Sequence, residues 1–183
     1  MITTFTGRLV DPLDLQPSDI HIDDVARSLS HQCRFNGHTR AMFSVAEHSL
    51  WVRRIVNDWG HGPRLQLTAL LHDAAEAYVM DLPGPIADRF PEYRAAEARA
   101  HEVVSNAFDL IWPWPQLIHD ADRQSCNAEA RNLLPVCAWR HFDELPAHAP
   151  RDHHRPGESP MAPWTAEQEF KRMFFKLREE VRT

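Results

Sequence analysis

A histidine, an aspartate and a glutamate lie close together in LLHDAAE, residues 70–76. In a helix, residues three and four apart are neighbours, so His72, Asp73 and Glu76 would share one edge. Imidazole nitrogens and carboxylate oxygens both bind divalent metal ions, so this edge could hold an ion. The zinc-protease motif HExxH requires a histidine where Glu76 stands, which excludes that class. The stretch is also compatible with a polar helix edge that faces water.

Histidine and aspartate recur in two other segments with helical patterning. His48 lies on the apolar stripe of the preceding predicted helix and should face the same core. A single inward histidine is more often a core residue than a ligand. The stretch IHDADRQS places Asp120 and Asp122 at the start of a later helix, where the helix dipole alone favours acidic residues. A second inward histidine, His72, with an aspartate beside it favours a shared metal site.

Hydrophobic periodicity predicts an all-α protein. Ser44 and Glu47 match a capping box at one helix start, and Thr165 and Gln168 match another at the last helix. The predicted helices begin near residue 23 and cover about 44–57, 63–79, 92–108, 116–134 and 165–182. No internal repeat, heptad run or alternating strand pattern is found in the sequence.

The remaining segments have the composition of connections. Residues 1–20 contain DPLDLQPSD and predict a short irregular lead, with room for a short strand or hairpin. A turn pair, Asn36-Gly37, marks a loop over 30–43. Residues 141–163 are rich in proline and histidine and predict a second loop. The 183 residues fit a single domain, 1–183, with its core at about 23–135.

Composition narrows the partners and the location. The formal charge of −6 argues against a protein that coats nucleic acid, because neutralising phosphates needs an excess of Lys and Arg. The 3 cysteines form no CxxC pair, which indicates reduced thiols rather than a disulfide framework. The first residues lack a signal-peptide pattern, and no apolar run approaches the roughly 18 residues that span a bilayer. We therefore expect a cytoplasmic protein with no membrane partner.

The order of these residues resembles the signature of the HD-domain phosphohydrolases, which is a histidine, then His-Asp, then a distant aspartate. AEHSL (46–50), LLHDAAEAYVMDLPGP (70–85) and DADR (120–123) are similar to the 5′-deoxynucleotidase branch, whose members carry SEHS, HDxxExxxxDLPxP and AD in this order. The resemblance covers roughly residues 30–131 and extends to compact phage-type dATP triphosphohydrolases. It implies an HD-domain helical bundle.

The resemblance also implies a metal centre. Its ligands would be His48, His72, Asp73 and Asp122, with Asp120 as the alternative to Asp122. Two imidazoles and two carboxylates suit one divalent ion of borderline softness, namely Mn²⁺, Co²⁺, Fe²⁺ or Zn²⁺. Such an ion could polarise a phosphoryl group and lower the pKa of water.

Residues around the metal ligands match the family's proton-handling groups. Glu76 matches the catalytic acid or base, and the family spacing favours this role over the alternative of a solvated helix glutamate. Asp81 matches the aspartate of the DLPxP loop and would contact the substrate near the scissile bond, with Pro83 beside it. The alternative for Asp81 is a turn residue.

The loop CRFNGHTR (33–40) lies where the family places an arginine and an aromatic residue that contact phosphate and sugar. Arg34 matches the arginine. Phe35 stands where relatives carry tryptophan, and this departure leaves sugar selectivity open. His38 and Arg40 could add phosphate contacts or lie on the surface.

The function implied is that of a metal-dependent phosphohydrolase acting on a deoxynucleotide, a small-molecule partner. It would be a 5′-nucleotidase for monophosphates or a triphosphohydrolase for dNTPs. The alternative from another class is a non-catalytic, nucleotide-sensing HD module. Such modules usually lack a ligand or the acid, whereas this chain has residues that match all of them. Relatives also lead us to expect a homodimer or larger homo-oligomer.

Overall fold

The computed structural model describes residues 1–135 and 160–183. In these residues the fold is all-α, as the periodicity predicts, with one small two-stranded sheet. The helices are α1 (Ile22–His31), α2 (Val45–Asp58), α3 (Pro63–Leu70), α4 (Glu76–Val79), α5 (Gly84–Ala87), α6 (Pro91–Phe108), α7 (Gln116–Leu133) and α8 (Pro163–Arg182). Short 3-10 helices lie at Pro17–Asp19 and Arg34–Gly37. No helix of the described part is long and apolar enough to cross a membrane.

The N-terminal lead folds as a hairpin against α1. Strands β1 (Ile2–Thr3) and β2 (Leu9–Val10) pair antiparallel. In the connection between them, the backbone N–H and the hydroxyl of Thr6 donate to the carboxylate of Asp24 on α1, at 2.6 and 2.8 Å. This part of the lead is therefore ordered by side-chain hydrogen bonds, where the sequence predicted an irregular segment with room for a hairpin.

Helix α2 lies at the centre of the bundle. It packs against α3 and α7, while α8 covers α1 and α3. Val45, Val52 and Ile55 are almost completely buried on its apolar face, and His48 lies on the same face with no exposed surface. The predicted inward stripe of this helix is thus confirmed, and it carries a histidine into the middle of the fold.

The capping box at the start of α2 is also confirmed. The Ser44 hydroxyl accepts the N–H of Glu47, and the Glu47 carboxylate accepts the N–H of Ser44, both at 3.2 Å. The second oxygen of Glu47 accepts the N–H of Met161, just before α8, at 2.6 Å. One cap therefore fixes the start of α2 and the entry to α8.

The predicted continuous helix over 63–79 is wrong in its middle. Helix α3 ends at Leu70, residues 71–75 form successive turns, and α4 is a single turn that starts at Glu76. Here the N–H groups of Ala74 and Glu76 bond to carbonyls three residues back rather than four. The carbonyl of Ala69 accepts the Nδ1–H of His72 at 2.8 Å, so a side chain competes for a backbone acceptor where the helix stops.

The predicted start of the last helix is also wrong. Helix α8 begins at Pro163, with Ala162 as the N-cap and no side-chain cap, so Thr165 lies within the first turn. Proline fits this first position because it has no N–H to leave unpaired. The predicted proline- and histidine-rich loop lies outside the described residues up to residue 159.

The two predicted capping boxes provide a matched stability test. Replacing Ser44 by alanine removes an acceptor from a buried N–H, so Ser44→Ala should lower the free energy of unfolding by about 1–2 kcal/mol. Thr165→Ala removes no cap and should change it by less than about 0.5 kcal/mol. Urea unfolding of both variants measures the difference; equal losses would contradict the assigned caps.

Candidate metal centre

The four predicted metal ligands come from three parts of the fold and meet at one point. His48 extends from α2, His72 and Asp73 from the turns after α3, and Asp122 from α7. The Nε2 atom of His48 lies 3.3 Å from Nε2 of His72, 3.1 Å from Asp122 Oδ1 and 3.5 Å from Asp73 Oδ2. The Nε2 atom of His72 lies 3.1 Å from Asp73 Oδ1 and 4.0 Å from Asp122 Oδ1.

These separations fit a shared ion. Two ligand atoms that each lie about 2.1 Å from an ion and at right angles to one another are about 3.0 Å apart, and opposite ligands are about 4.2 Å apart. The observed donor separations of 3.1–4.0 Å fall in this range. His48, His72 and Asp122 could therefore hold a metal ion, with Asp73 in reach as a fourth ligand.

Hydrogen bonds on the far side of each imidazole direct Nε2 to this point. The Nδ1 atom of His72 must donate to the carbonyl of Ala69, because a carbonyl only accepts. The Nδ1 atom of His48 lies 2.6 Å from Glu129 Oε1. The pKa of Glu129 is lowered: burial opposes its charge, but His48 and Arg34 outweigh burial, so the carboxylate accepts.

This arrangement leaves two Nε2 lone pairs facing one another at 3.3 Å. Such a contact is repulsive unless a positive charge lies between the two nitrogens. The charge could be a proton or a metal cation, and a cation would also neutralise the two aspartates.

The pKa shifts in the cluster agree with the need for a positive charge between the two Nε2 atoms. Burial and Arg34 lower the pKa of His48, but Glu129 and Asp122 outweigh them and raise it to about 9. Burial opposes the ionisation of Asp73 and Asp122, yet the neighbouring histidines hold both carboxyl pKa values below their usual range. The cluster thus carries an excess of negative charge that attracts a cation.

Access to the cluster comes from the aspartate side. The side chain of His48 is completely buried and that of His72 is 6% exposed, whereas Asp73 is 15% and Asp122 38% exposed. The histidines therefore lie at the bottom of the site and the carboxylates at its opening. An ion there could meet a ligand from solvent.

The structure separates Asp122 from its alternative. Asp120 forms an ion pair with Arg123 and accepts a hydrogen bond from Gln116 on the outer side of α7. Asp122, two residues on, faces the histidines. The helical turn of α7 thus directs the two aspartates to different surroundings.

Glu129 is the main residue that the sequence analysis missed. Its side chain has no exposed surface, and its Oε1 accepts from Ser125 Oγ at 2.7 Å as well as from His48. Its other oxygen lies 3.4 Å from Arg34 Nε. Glu129 follows Asp122 by seven residues, two turns along α7, and this spacing places both on one side of the helix but does not show from the sequence that the Glu129 side chain is buried.

Glu76 lies beside the cluster but is not one of its ligands in this geometry. It is 9% exposed, and its Oε2 is buried without a hydrogen-bond partner. Burial, and then the charges of Asp73 and Asp81, raise the pKa of Glu76 well above its usual value. Burial also raises the pKa of Asp81, against the opposing charge of Arg34. Glu76 is thus disposed to keep a proton.

Of the predicted substrate loop, Arg34 comes closest to the cluster. Its guanidinium lies between Glu129 and Asp81, with NH1 4.0 Å from Asp81 Oδ2. Phe35 follows with φ 52°, a left-handed conformation that is rare for an aromatic residue, and its ring lies 5.7 Å from the guanidinium carbon. The side chains of His38 and Arg40 are on the surface. Pro83 is the N-cap residue of α5 and is half-buried.

Helix α6 adds a neighbour that the sequence analysis also missed. His101 stacks on Trp112 and meets Trp114 edge-on, each with ring centroids 5.8 Å apart. Its Nδ1 is buried without a hydrogen-bond partner. Burial lowers the pKa of His101, although the charge of Asp73 acts in the opposite direction. His101 therefore lies among aromatic rings, within the electrostatic reach of Asp73.

The fold and this cluster define an all-α protein with a buried site that could hold a metal ion. No family model matches the chain. It is 35% identical to the uncharacterized protein YfdR of Escherichia coli (strain K12) over 132 residues, which cover 72% of this chain and 71% of YfdR. It is 36% identical to the uncharacterized protein RCAP_rcc00048 of Rhodobacter capsulatus over 137 residues, which cover 70% of each chain. The chain belongs to the family of YfdR and RCAP_rcc00048.

The hydrogen bond between Glu129 and His48 generates a test of the metal centre. Glu129→Gln removes the negative charge behind His48, so the affinity for Mn²⁺ or Co²⁺ should fall by about 10- to 100-fold. Isothermal titration of the metal-free protein measures this affinity. Glu167→Gln is the control, because this buried carboxylate pairs with Arg27 and Lys171 on α1 and α8. Equal affinities of the two variants would contradict the role of Glu129.

Proposed function

We propose that this chain is an HD-domain, metal-dependent phosphohydrolase that acts on the 5′-phosphates of deoxynucleotides. The observation that carries the proposal is the convergence of His48, His72, Asp73 and Asp122, with both Nε2 atoms directed at one point. This set is the ligand set of the HD-domain signature that the sequence resembles. Mn²⁺, Co²⁺, Fe²⁺ or Zn²⁺ suits the donors.

The charges around the cluster support a phosphorylated substrate. An anion would be repelled by the aspartates alone, so it needs both a bound cation and a cationic side chain. Arg34 supplies a guanidinium on the side of Asp81, and it is the charged group of the substrate loop that lies near the site. A forked guanidinium fits phosphate oxygens well.

Hydrolysis adds a water oxygen to phosphorus and breaks the bond from phosphorus to the leaving oxygen, which then takes a proton. An ion held by the four ligands would polarise a phosphoryl oxygen and lower the pKa of a nearby water. Arg34 would hold the phosphate, and Asp81 would orient the substrate beside Arg34. Glu76, with its raised pKa, would give its proton to the leaving oxygen and recover one from the attacking water.

The same residues serve either of two substrates. In a monophosphate the leaving oxygen belongs to the 5′-hydroxyl, and inorganic phosphate is released. In a triphosphate, attack at the α-phosphorus breaks the ester bond to the 5′-oxygen and releases triphosphate. The second reaction requires cations for the outer phosphates, and the exposed His38 and Arg40 follow Arg34 in the same loop.

A substrate panel tests the proposal. The protein loaded with Mn²⁺ or Co²⁺ should release phosphate from dNMPs or triphosphate from dNTPs, and chelation should abolish the release. Asp122→Ala should lose both metal and activity. Asp120→Ala should keep both, because Asp120 forms an ion pair with Arg123 and does not face the histidines. Tight nucleotide binding without hydrolysis by the loaded protein would instead support a nucleotide-sensing module.

The protonated state of Glu76 predicts a pH dependence. A general acid is active only while it holds its proton, so kcat should fall as the pH rises through the pKa of Glu76, which lies above the ordinary glutamate value. Glu76→Gln should lower kcat by about 100-fold or more and remove this alkaline decline. Metal content should be unchanged. An unaltered pH profile in Glu76→Gln would show that another group supplies the proton.

The resemblance further supports a homodimer or larger homo-oligomer and a cytoplasmic location. Sedimentation of the purified protein would determine the first of these.

A further inference from the structure

Gln32 is the C-cap residue of α1, and it contacts neighbouring segments of the candidate site through both its backbone and its side chain. Its carbonyl accepts the N–H of Val45 at the start of α2 at 3.1 Å. The loop that carries Arg34 begins two residues later. Its side chain extends in another direction, to the segment that carries Glu76 and Asp81. Gln32 thus contacts the backbone of α2, which carries His48, and the backbone of the segment that carries Glu76 and Asp81.

The Gln32 side chain hydrogen-bonds through both of its N–H donors and through its carbonyl oxygen. Its Nε2 donates to the Glu76 carbonyl at 3.1 Å and to Ser28 Oγ at 3.0 Å. Its Oε1 accepts the N–H of Asp81 at 3.1 Å. Since a carbonyl only accepts and an N–H only donates, this pairing also fixes which end of the amide is oxygen.

The segment that Gln32 contacts has little structure of its own. Helix α4 is one turn long, and a helix of that length does not persist without tertiary contacts. Met80 follows with φ 71°, a left-handed conformation that a methionine adopts only where surrounding contacts impose it. Ser28 adds a hydrogen bond from its hydroxyl to the Ala77 carbonyl at 3.3 Å. The orientation of this turn therefore depends on α1.

We propose that Gln32 is a positioning residue for the proton-handling side of the site, because its amide sets the separation and orientation of Glu76 and Asp81. This inference rests on the proposed function for its catalytic meaning. The metal ligands do not depend on Gln32: His48 is held by Glu129, and His72 by the Ala69 carbonyl. Loss of the amide should therefore affect catalysis and leave metal binding unchanged.

Two substitutions separate the contacts. Gln32→Met keeps the approximate shape and removes both backbone contacts. Gln32→Glu keeps an acceptor for the N–H of Asp81 but loses the donor to the Glu76 carbonyl. Gln66→Met is the matched control, since Gln66 Nε2 donates to the His61 carbonyl at 2.9 Å, at the other end of α3.

The expected result is a loss of kcat by about 10- to 100-fold in Gln32→Met, because a displacement of about 1 Å has that effect. Metal affinity should match the unsubstituted protein, and the alkaline decline of kcat should shift in both Gln32 variants. Gln66→Met should behave like the unsubstituted protein. A parallel fall of metal affinity and thermal stability, with unchanged kcat for the loaded protein, would overturn the inference.

Hydrogen exchange tests the placement without any activity. Amides of residues 76–81 should exchange about fivefold faster in Gln32→Met, since a hydrogen bond is lost, while those of α2 should not change. Unchanged exchange over 76–81 would overturn the inference whether or not the protein is a hydrolase. If the unsubstituted protein hydrolyses no nucleotide but exchange is faster only over 76–81, the placement holds and the proposed function fails.

Discussion

The fold depends on one buried interaction, the 2.6 Å hydrogen bond from His48 on α2 to Glu129 on α7. Neither side chain has any exposed surface. Burying a carboxylate is unfavourable unless charge and hydrogen bonds compensate, and here Ser125 and Arg34 complete that compensation. Helices α2 and α7 must therefore pack in one register, and the loop of Arg34 must close over them. The same contact determines that the Nε2 atom of His48 faces the candidate metal site.

The second constraint is the interruption between α3 and α4. Successive side chains of a continuous helix diverge by about 100°, so adjacent residues reach a common point with difficulty. The turns at residues 71–75 relieve this limit for His72 and Asp73. The periodicity of LLHDAAE favours a continuous helix, because local sequence does not include the burial of His72 or its bond to the Ala69 carbonyl. The His72 side chain competes with the backbone for the Ala69 carbonyl, and this competition explains why the predicted continuous helix is interrupted at the candidate site.

The sequence predicted most of the helices because their apolar stripes and caps are local signals. Ser44 and Glu47 are an example, with both reciprocal bonds present. Thr165 shows the limit: with Gln168 it matches the same capping pattern, but it lies in the first turn of a helix that Pro163 already begins. The candidate ligands could be named from residue type and order, whereas Glu129 could not. Nothing distinguishes a buried helix glutamate from a solvated one until the facing helix is known, and here the facing residue is a histidine 81 positions away.

The two halves of the candidate site are built differently. The candidate ligands His48 and Asp122 belong to long helices whose packing makes up much of the core, so they are held by many contacts. Glu76 and Asp81 belong to a single turn and a loop, which are held by few hydrogen bonds. The general-acid role proposed for Glu76 would benefit from this, since small movements of its backbone could follow the change in charge. The candidate metal ligands therefore lie on rigid elements and the proposed proton donor on a less restrained one, according to which element of the bundle carries each side chain.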